Sequence, residues 1–354
     1  MTKIKTAKCS IPIRIGTLGC GCSTVALGCV IAILCLAALA SVALAQDTQP
    51  AQDTSPAQAK TPGQKISLPQ ALVLGLVEGL TEYLPVSSTG HLILASHYMD
   101  LSEQSAESGP LGPKIIKNPA IDSFEVIIQI GAILAVLGLY RKQVGLMIDG
   151  VTRRNPAGLR LLGLLAVAFA PAAIMGLTLH KPISEHLFSP YAVAGALVVG
   201  GVVMIVVEFF VWRPRRGQAN VSKLEHIRYW QALVIGLAQC LAMWPGTSRS
   251  MVTILAGLII GLNIVTAAEF SFLLALPTLG GASAYALLGN WGVLMESAGW
   301  GALAVGIIVS AIAAAVAVKA FVKWLTRHGM VPFGVYRIAL GLAVFAYFAR
   351  LIKI

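Results

Sequence analysis

Between Gln70 and Leu94 the chain reads QALVLGLVEGLTEYLPVSSTGHLIL. This apolar stretch carries two carboxylates (Glu78, Glu82), a run of three consecutive hydroxyls (Ser87, Ser88, Thr89) and an imidazole (His91). Glu78 and Glu82 are spaced to share one face of a helix. Two like charges so placed repel, and apolar surroundings make the repulsion worse. The pair therefore shares a proton or holds a cation. Magnesium suits one or two carboxylates plus phosphate oxygens, with Ca2+ as the second candidate. A pair of helix-end carboxylates in headgroup water is the plainer alternative. Acids in an apolar membrane segment are costly, which favours function. Ser88 near His91 supplies a hydroxyl and an imidazole, the minimum for an activated nucleophile or a proton relay. The same hydroxyls could instead satisfy backbone groups in a turn.

A second stretch, Gln231 to Leu255, reads QALVIGLAQCLAMWPGTSRSMVTIL. Its opening repeats that of the first, QALVIGL against QALVLGL, and each copy then reaches a proline, Pro85 or Pro245. In the second turn Gly246 lets the backbone approach closely. Thr247, Ser248 and Ser250 add hydroxyls, and successive N–H groups there can form an anion nest. Arg249 brings a planar fork that grips phosphate with two bonds. Thr253 follows on the next helical piece. Arg249 could also pair with Glu78 or Glu82 and lock the two stretches together, and both can hold before substrate arrives. The two copies are expected to meet in the membrane and build one phosphate-handling site.

The elements that position these groups are apolar. Apolar residues make up 57% of the chain and charged residues 12%, where soluble domains average roughly 45–50% and about 25%. Several apolar runs approach the ~20 residues that span a bilayer, so the expected class is an all-α polytopic membrane protein. The net charge of +11 is dispersed in short basic clusters between spans. That is the pattern of cytoplasmic loops and not of a nucleic-acid groove. Five cysteines lie in the N-terminal segment and only Cys240 in the body. This leaves no internal disulfide and no CxxC metal pattern there.

Residues 1–45 resemble a targeting segment, with a basic start (Lys3, Lys5, Lys8, Arg14), a long apolar stretch and Ala43-Leu44-Ala45 before Gln46. The apolar stretch exceeds an ordinary signal core, so the segment is either cleaved or kept as an anchor helix. Residues 46–66 read as a disordered linker. A first membrane repeat is expected over 67–228 and a second over 229–354. Each begins with a broken hairpin too short to span, allowed at membrane depth where it is buried in protein or lines a cavity. Residues 100–120 read as a polar loop. Three spans follow the first hairpin, about Phe124–Tyr140, Leu161–Leu179 and Tyr191–Trp212, with a short connection at His180–Ser189. Three follow the second (Tyr229–Leu262), about Ala267–Leu288, Ala302–Lys319 and Phe333–Ile352, with Asn290–Ser297 as an outer loop. Arg141, Lys142, Arg153, Arg154, Arg213, Arg215 and Arg216 mark cytoplasmic connections, as do Lys319, Lys323 and Arg327. Arg350 and Lys353 place the C-terminus outside, against that rule. Three spans is an odd number, so the second repeat is inverted relative to the first and the hairpin tips can meet at mid-depth.

EGLTEYLPVSSTGH (Glu78–His91) and PGTSRSMVT (Pro245–Thr253) resemble the two signature motifs of the bacterial undecaprenyl-diphosphate phosphatase family, the bacitracin-resistance type. The resemblance covers roughly residues 68–353, including the runs Phe124–Val136 and Glu269–Pro277. The extension at 1–66 departs from it. It implies that Glu78 and Glu82 form the acidic pair that holds a divalent metal, Ser88 the nucleophile and His91 the acid/base. Ser248, Arg249 and Thr253 would hold the diphosphate, and Ser87, Thr89 and Ser250 are expected to bind the substrate with them. It implies removal of the terminal phosphate from a C55 polyprenyl diphosphate, which regenerates the carrier for peptidoglycan synthesis. Bacitracin would act by sequestering that substrate. The implied location is the bacterial inner membrane, with the site open to the periplasm. The rival reading is a polyprenyl-phosphate flippase, since inverted repeats with broken helices are by architecture more often transporters. A soluble-type acid phosphatase on an anchor lacks the hydrophilic domain it would need.

Overall fold

The computed structural model describes residues 65–109, 112–117, 119–187, 189–216 and 221–351. The expected targeting segment, and the linker up to residue 64, lie outside them. The linker's end is not loose. Ile66 is buried, and its N–H donates to the Ser297 carbonyl at 2.7 Å.

The chain is a polytopic membrane protein built from helices. The first hairpin is α1 (Leu68–Thr81) and α2 (Ser88–Tyr98). Ser67 and Gln70 form a reciprocal cap on α1, with Pro69 in its first turn. After a β-hairpin come α3 (Pro119–Leu139), α4 (Arg141–Arg153), α5 (Pro156–Leu187) and α6 (Pro190–Val207). The second hairpin is α7 (Tyr229–Gln239) and α8 (Arg249–Ile259). It is followed by α9 (Ile264–Ser297), α10 (Gly299–Leu325) and α11 (Val331–Leu351). Six helices are long and apolar enough to cross a membrane. They overlap the six expected spans. The hairpin arms hold 14 residues or fewer, too short for a ~30 Å hydrocarbon core at about 1.5 Å per residue.

Four connections differ from the sequence reading. The polar stretch after α2 contains an antiparallel pair, β1 (Ser102–Gly109) with β2 (Gly112–Lys117). The connection expected at His180–Ser189 is helical to Leu187. The loop expected at Asn290–Ser297 is the end of α9, and the chain turns at Ala298–Gly299, where Gly299 has φ +66. That run holds Val293, Leu294 and Met295 and no proline, so nothing local breaks the helix. The basic connection after α3 forms α4, which buries Met147 and Gly150 and exposes Arg141, Lys142 and Arg153.

The two hairpins are closed by matching bonds. Gln70 Nε2 donates to the Met99 carbonyl at 3.4 Å, and Gln231 Nε2 to the Ile260 carbonyl at 3.2 Å. Ser87 and Ser248 both sit at φ 73, each just ahead of its second arm. The halves also exchange partners. In the first half α1 packs on α10, where a Cβ at Gly75 would lie 2.5 Å from the Gly306 carbonyl oxygen. In the second half α7 packs on α5, where a Cβ at Gly236 would lie 2.3 Å from the Ala168 oxygen. Small residues permit such backbone approach in membrane bundles. The last helices of the two halves, α6 and α11, pack on each other in the same way, at Gly201 and Gly334.

Candidate active site

Both hairpins break at a turn and restart as a helix. In each case the restart is capped by a serine. Ser87 Oγ accepts from Gly90 N at 3.4 Å, and Ser248 Oγ accepts from Met251 N at 3.3 Å. A positive φ is unusual for serine, and such strain clusters at functional sites. The two turns touch. Ser250 Oγ of the second donates to the Leu84 carbonyl of the first at 2.9 Å. The N-termini of α2 and α8 therefore converge on one spot. Each offers unpaired N–H groups and the positive end of a helix dipole, the backbone arrangement that binds phosphate.

At that spot Glu82 joins two functional groups. Its Oε2 accepts from Ser88 Oγ at 2.6 Å, and its Oε1 accepts from Arg249 Nη2 at 2.7 Å. The Glu82 and Arg249 side chains are 7% and 9% exposed. The guanidinium lies over the Tyr83 ring, 5.7 Å from its centroid, and Nη1 donates to the Ser271 carbonyl at 3.0 Å. Tyr83 is itself fixed by donating to the Ala132 carbonyl at 2.9 Å.

Glu78 lies one helical turn before Glu82. It is fully buried, and neither of its oxygens has a hydrogen-bond partner. Glu82, Glu125 and Arg249 are its charged neighbours. A buried carboxylate in this state needs a proton or a cation. The residues thus fit a divalent ion, with Glu78 supplying free oxygens and Glu82 the second carboxylate. Among the described residues no group of three or more His, Cys, Asp and Glu is placed to hold a metal.

The other expected residues divide. His91 is not on the Ser88 hydroxyl. Its Nδ1 donates to the Ser87 carbonyl at 2.7 Å, and its Nε2 lies 2.7 Å from the Tyr336 hydroxyl. Glu82 occupies the position beside Ser88 expected for the imidazole. Ser248 and Ser250 are mutually bonded at 3.0 Å at the second turn, with Ser250 fully buried. Thr253 is fully buried beneath Arg249, bonded to the Arg249 carbonyl at 2.8 Å and to Ser271 Oγ at 2.6 Å. It braces the arginine from behind. Thr89 is half-buried in the first turn of α2. Two residues of α11 escaped the sequence reading, Tyr336 and Arg337. The signal for Arg337 was a lone cation inside an apolar span, which is itself a functional hint.

Residues 71–343 match the family model described as bacitracin resistance protein BacA. The chain belongs to this family. Among its relatives, the undecaprenyl-diphosphatase of Sorangium cellulosum is 45% identical over 77% of this chain and 84% of its own length. The undecaprenyl-diphosphatase of Wolinella succinogenes is 44% identical over 80% of this chain and 98% of its own. Undecaprenyl-diphosphatase 2 of Rhodospirillum rubrum is 42% identical over 79% and 95%. The BacA match includes both turns, and residues 1–70 precede it.

Proposed function

We propose that this BacA-family chain hydrolyses undecaprenyl diphosphate to undecaprenyl phosphate and inorganic phosphate, and so recycles the lipid carrier for peptidoglycan synthesis. The observation that carries the reading is Glu82, bonded at once to the Ser88 hydroxyl and the Arg249 guanidinium between two helix N-termini. The relatives named as undecaprenyl-diphosphatases support the substrate.

The chemistry follows from the bonds. An arriving diphosphate competes for Arg249, whose fork matches phosphate oxygens. As Arg249 turns to the substrate, Glu82 keeps its bond to the Ser88 hydroxyl and is the base placed beside it. It then takes the Ser88 proton as Oγ attacks the terminal phosphorus. The P–O bond to the bridging oxygen breaks, and undecaprenyl phosphate leaves as an anion. Water then hydrolyses the phosphoserine. Ser248 and the N–H groups of α2 and α8 receive the equatorial oxygens. His91 anchors the strained Ser87 backbone and is in turn held by Tyr336. A divalent cation held by Glu78 and Glu82, Mg2+ before Ca2+, would neutralise charge on the phosphate oxygens.

The repeats are read as inverted, since three crossing helices separate the hairpins and the turns meet. The chain then sits in the bacterial inner membrane with its first hairpin entering from the periplasm, the side to which the site opens. Bacitracin would inhibit by sequestering the diphosphate substrate and would need no site on the protein. Purified protein in detergent, given undecaprenyl diphosphate, is expected to release phosphate. A flippase releases none, and that result would overturn the reading.

A further inference from the structure

Arg337 lies in the middle of α11 and is fully buried. Among the described residues no carboxylate pairs with it. Its bonds go to backbone carbonyls on three segments. Nη1 donates to Pro85 of the first turn at 3.3 Å, and Nη2 to Gly246 and Thr247 of the second at 2.9 and 3.1 Å. Nη2 also reaches Ala196 of α6 at 3.1 Å. Burying an unpaired guanidinium is expensive, and a fork of donors on carbonyl dipoles is what offsets it. The fold makes room for it at Gly200, where a Cβ would lie 2.5 Å from Nη2.

We infer that Arg337 is a positioning residue that holds the two hairpin turns together while Arg249 lets go. The inference rests on the phosphatase reading above. Two ties between the turns involve groups at the reaction site, Glu82–Arg249 and Ser250–Leu84. Substrate competes for the first of them, and the second is a single hydroxyl on one carbonyl. The Arg337 tie consists of main-chain carbonyls, which no substrate displaces. It therefore keeps Ser88 on one turn in register with Arg249 on the other through the whole cycle. Lysine cannot replace it, because one ammonium lacks the planar reach to both turns.

The test compares wild type, Arg337→Ala, Arg337→Lys and Gly200→Ala in detergent. Gly200→Ala keeps the charge and pushes the guanidinium off its carbonyls. Each variant is checked for a monodisperse peak and assayed for phosphate release across substrate concentrations. A misplacement of order 1 Å costs roughly 100-fold in rate. Arg337→Ala is therefore expected to lose about that factor in kcat with KM within about threefold, and Gly200→Ala about tenfold. Methylguanidinium is expected to restore Arg337→Ala at least about tenfold by refilling the site, whereas ammonium does not, since only a fork spans both turns. A folded Arg337→Ala or Arg337→Lys with more than half the wild-type kcat overturns the inference. If neither folds, Gly200→Ala decides it, and full activity there overturns it equally. Absence of phosphate release by the wild type would instead sink the phosphatase reading.

Discussion

Glu82 Oε1 and Arg249 Nη2 lie 2.7 Å apart, and the two residues come from opposite halves of the chain. The pair is a lock before substrate arrives and a clamp afterwards. With side chains 7% and 9% exposed, removing one partner strands the other. Arg249→Ala should destabilise the protein by about 3–5 kcal/mol, the usual cost of an orphaned buried charge. Glu82→Ala/Arg249→Ala should recover much of that loss in a detergent thermal-shift assay. It should not recover turnover, because phosphate has lost its fork. Full recovery of kcat in the double variant would show that the pair serves the fold alone.

Ser88 donates to Glu82 at 2.6 Å, which makes it the hydroxyl with a base already in place. Ser88→Ala should lower kcat by at least about 100-fold, and Glu82→Gln by the 10²–10⁴-fold typical of a lost general base. Substrate labelled in the terminal phosphate should leave acid-quenched label on wild type and none on Ser88→Ala. Label absent from both, with Ser88→Ala still slow, would move the attack to water and leave Ser88 as a binding group.

Glu78 is buried with both oxygens unpartnered. If it holds the cation, EDTA should abolish phosphate release and added Mg2+ should restore it. Glu78→Gln should raise the Mg2+ needed for half-maximal rate by at least the roughly 10–100-fold that even an outer-shell contact is worth. A Glu78→Gln enzyme with an unchanged metal requirement would assign Glu78 to a proton.

The parts of the fold that depend on apolar length were legible in the sequence. All six crossing helices and both broken hairpins could be placed that way, because a bilayer sets a minimum run and the QALV repeat marks where each hairpin starts. The meeting of the two turns is expected from the repeat, but the bonds that join Glu82 to Ser88 and Arg249 are not, since the arginine lies in the other half of the chain. Three things were hidden. His91 follows Ser88 closely in sequence, yet its ring is drawn back to the Ser87 carbonyl by the positive φ there, which sequence spacing does not encode. The resemblance alone marks Thr253 for the diphosphate, and its bonds to the backbone of its own helix and to Ser271 are set by the fold. Arg337 lies outside both motifs, and its four carbonyl acceptors are main-chain atoms that no side-chain pattern announces.

Two glycines of α3 separate close packing from mere composition. A Cβ at Gly131 would lie 2.2 Å from the Ile307 carbonyl oxygen of α10, whereas one at Gly138 would meet nothing within 4 Å. The Gly131 contact is backbone to backbone, so no side chain can swing aside. Gly131→Ala should therefore push α3 off α10 and cost the roughly 1–3 kcal/mol of an overpacked core. Gly138→Ala should be neutral or stabilise by up to about 1 kcal/mol, through the smaller backbone entropy of alanine. α3 also carries Ala132, whose carbonyl fixes Tyr83 beneath Arg249. Gly131→Ala should thus lower kcat as well as the melting temperature in detergent, and Gly138→Ala neither. Equal melting temperatures for the two variants would mean that α3 and α10 do not approach this closely in the bilayer protein.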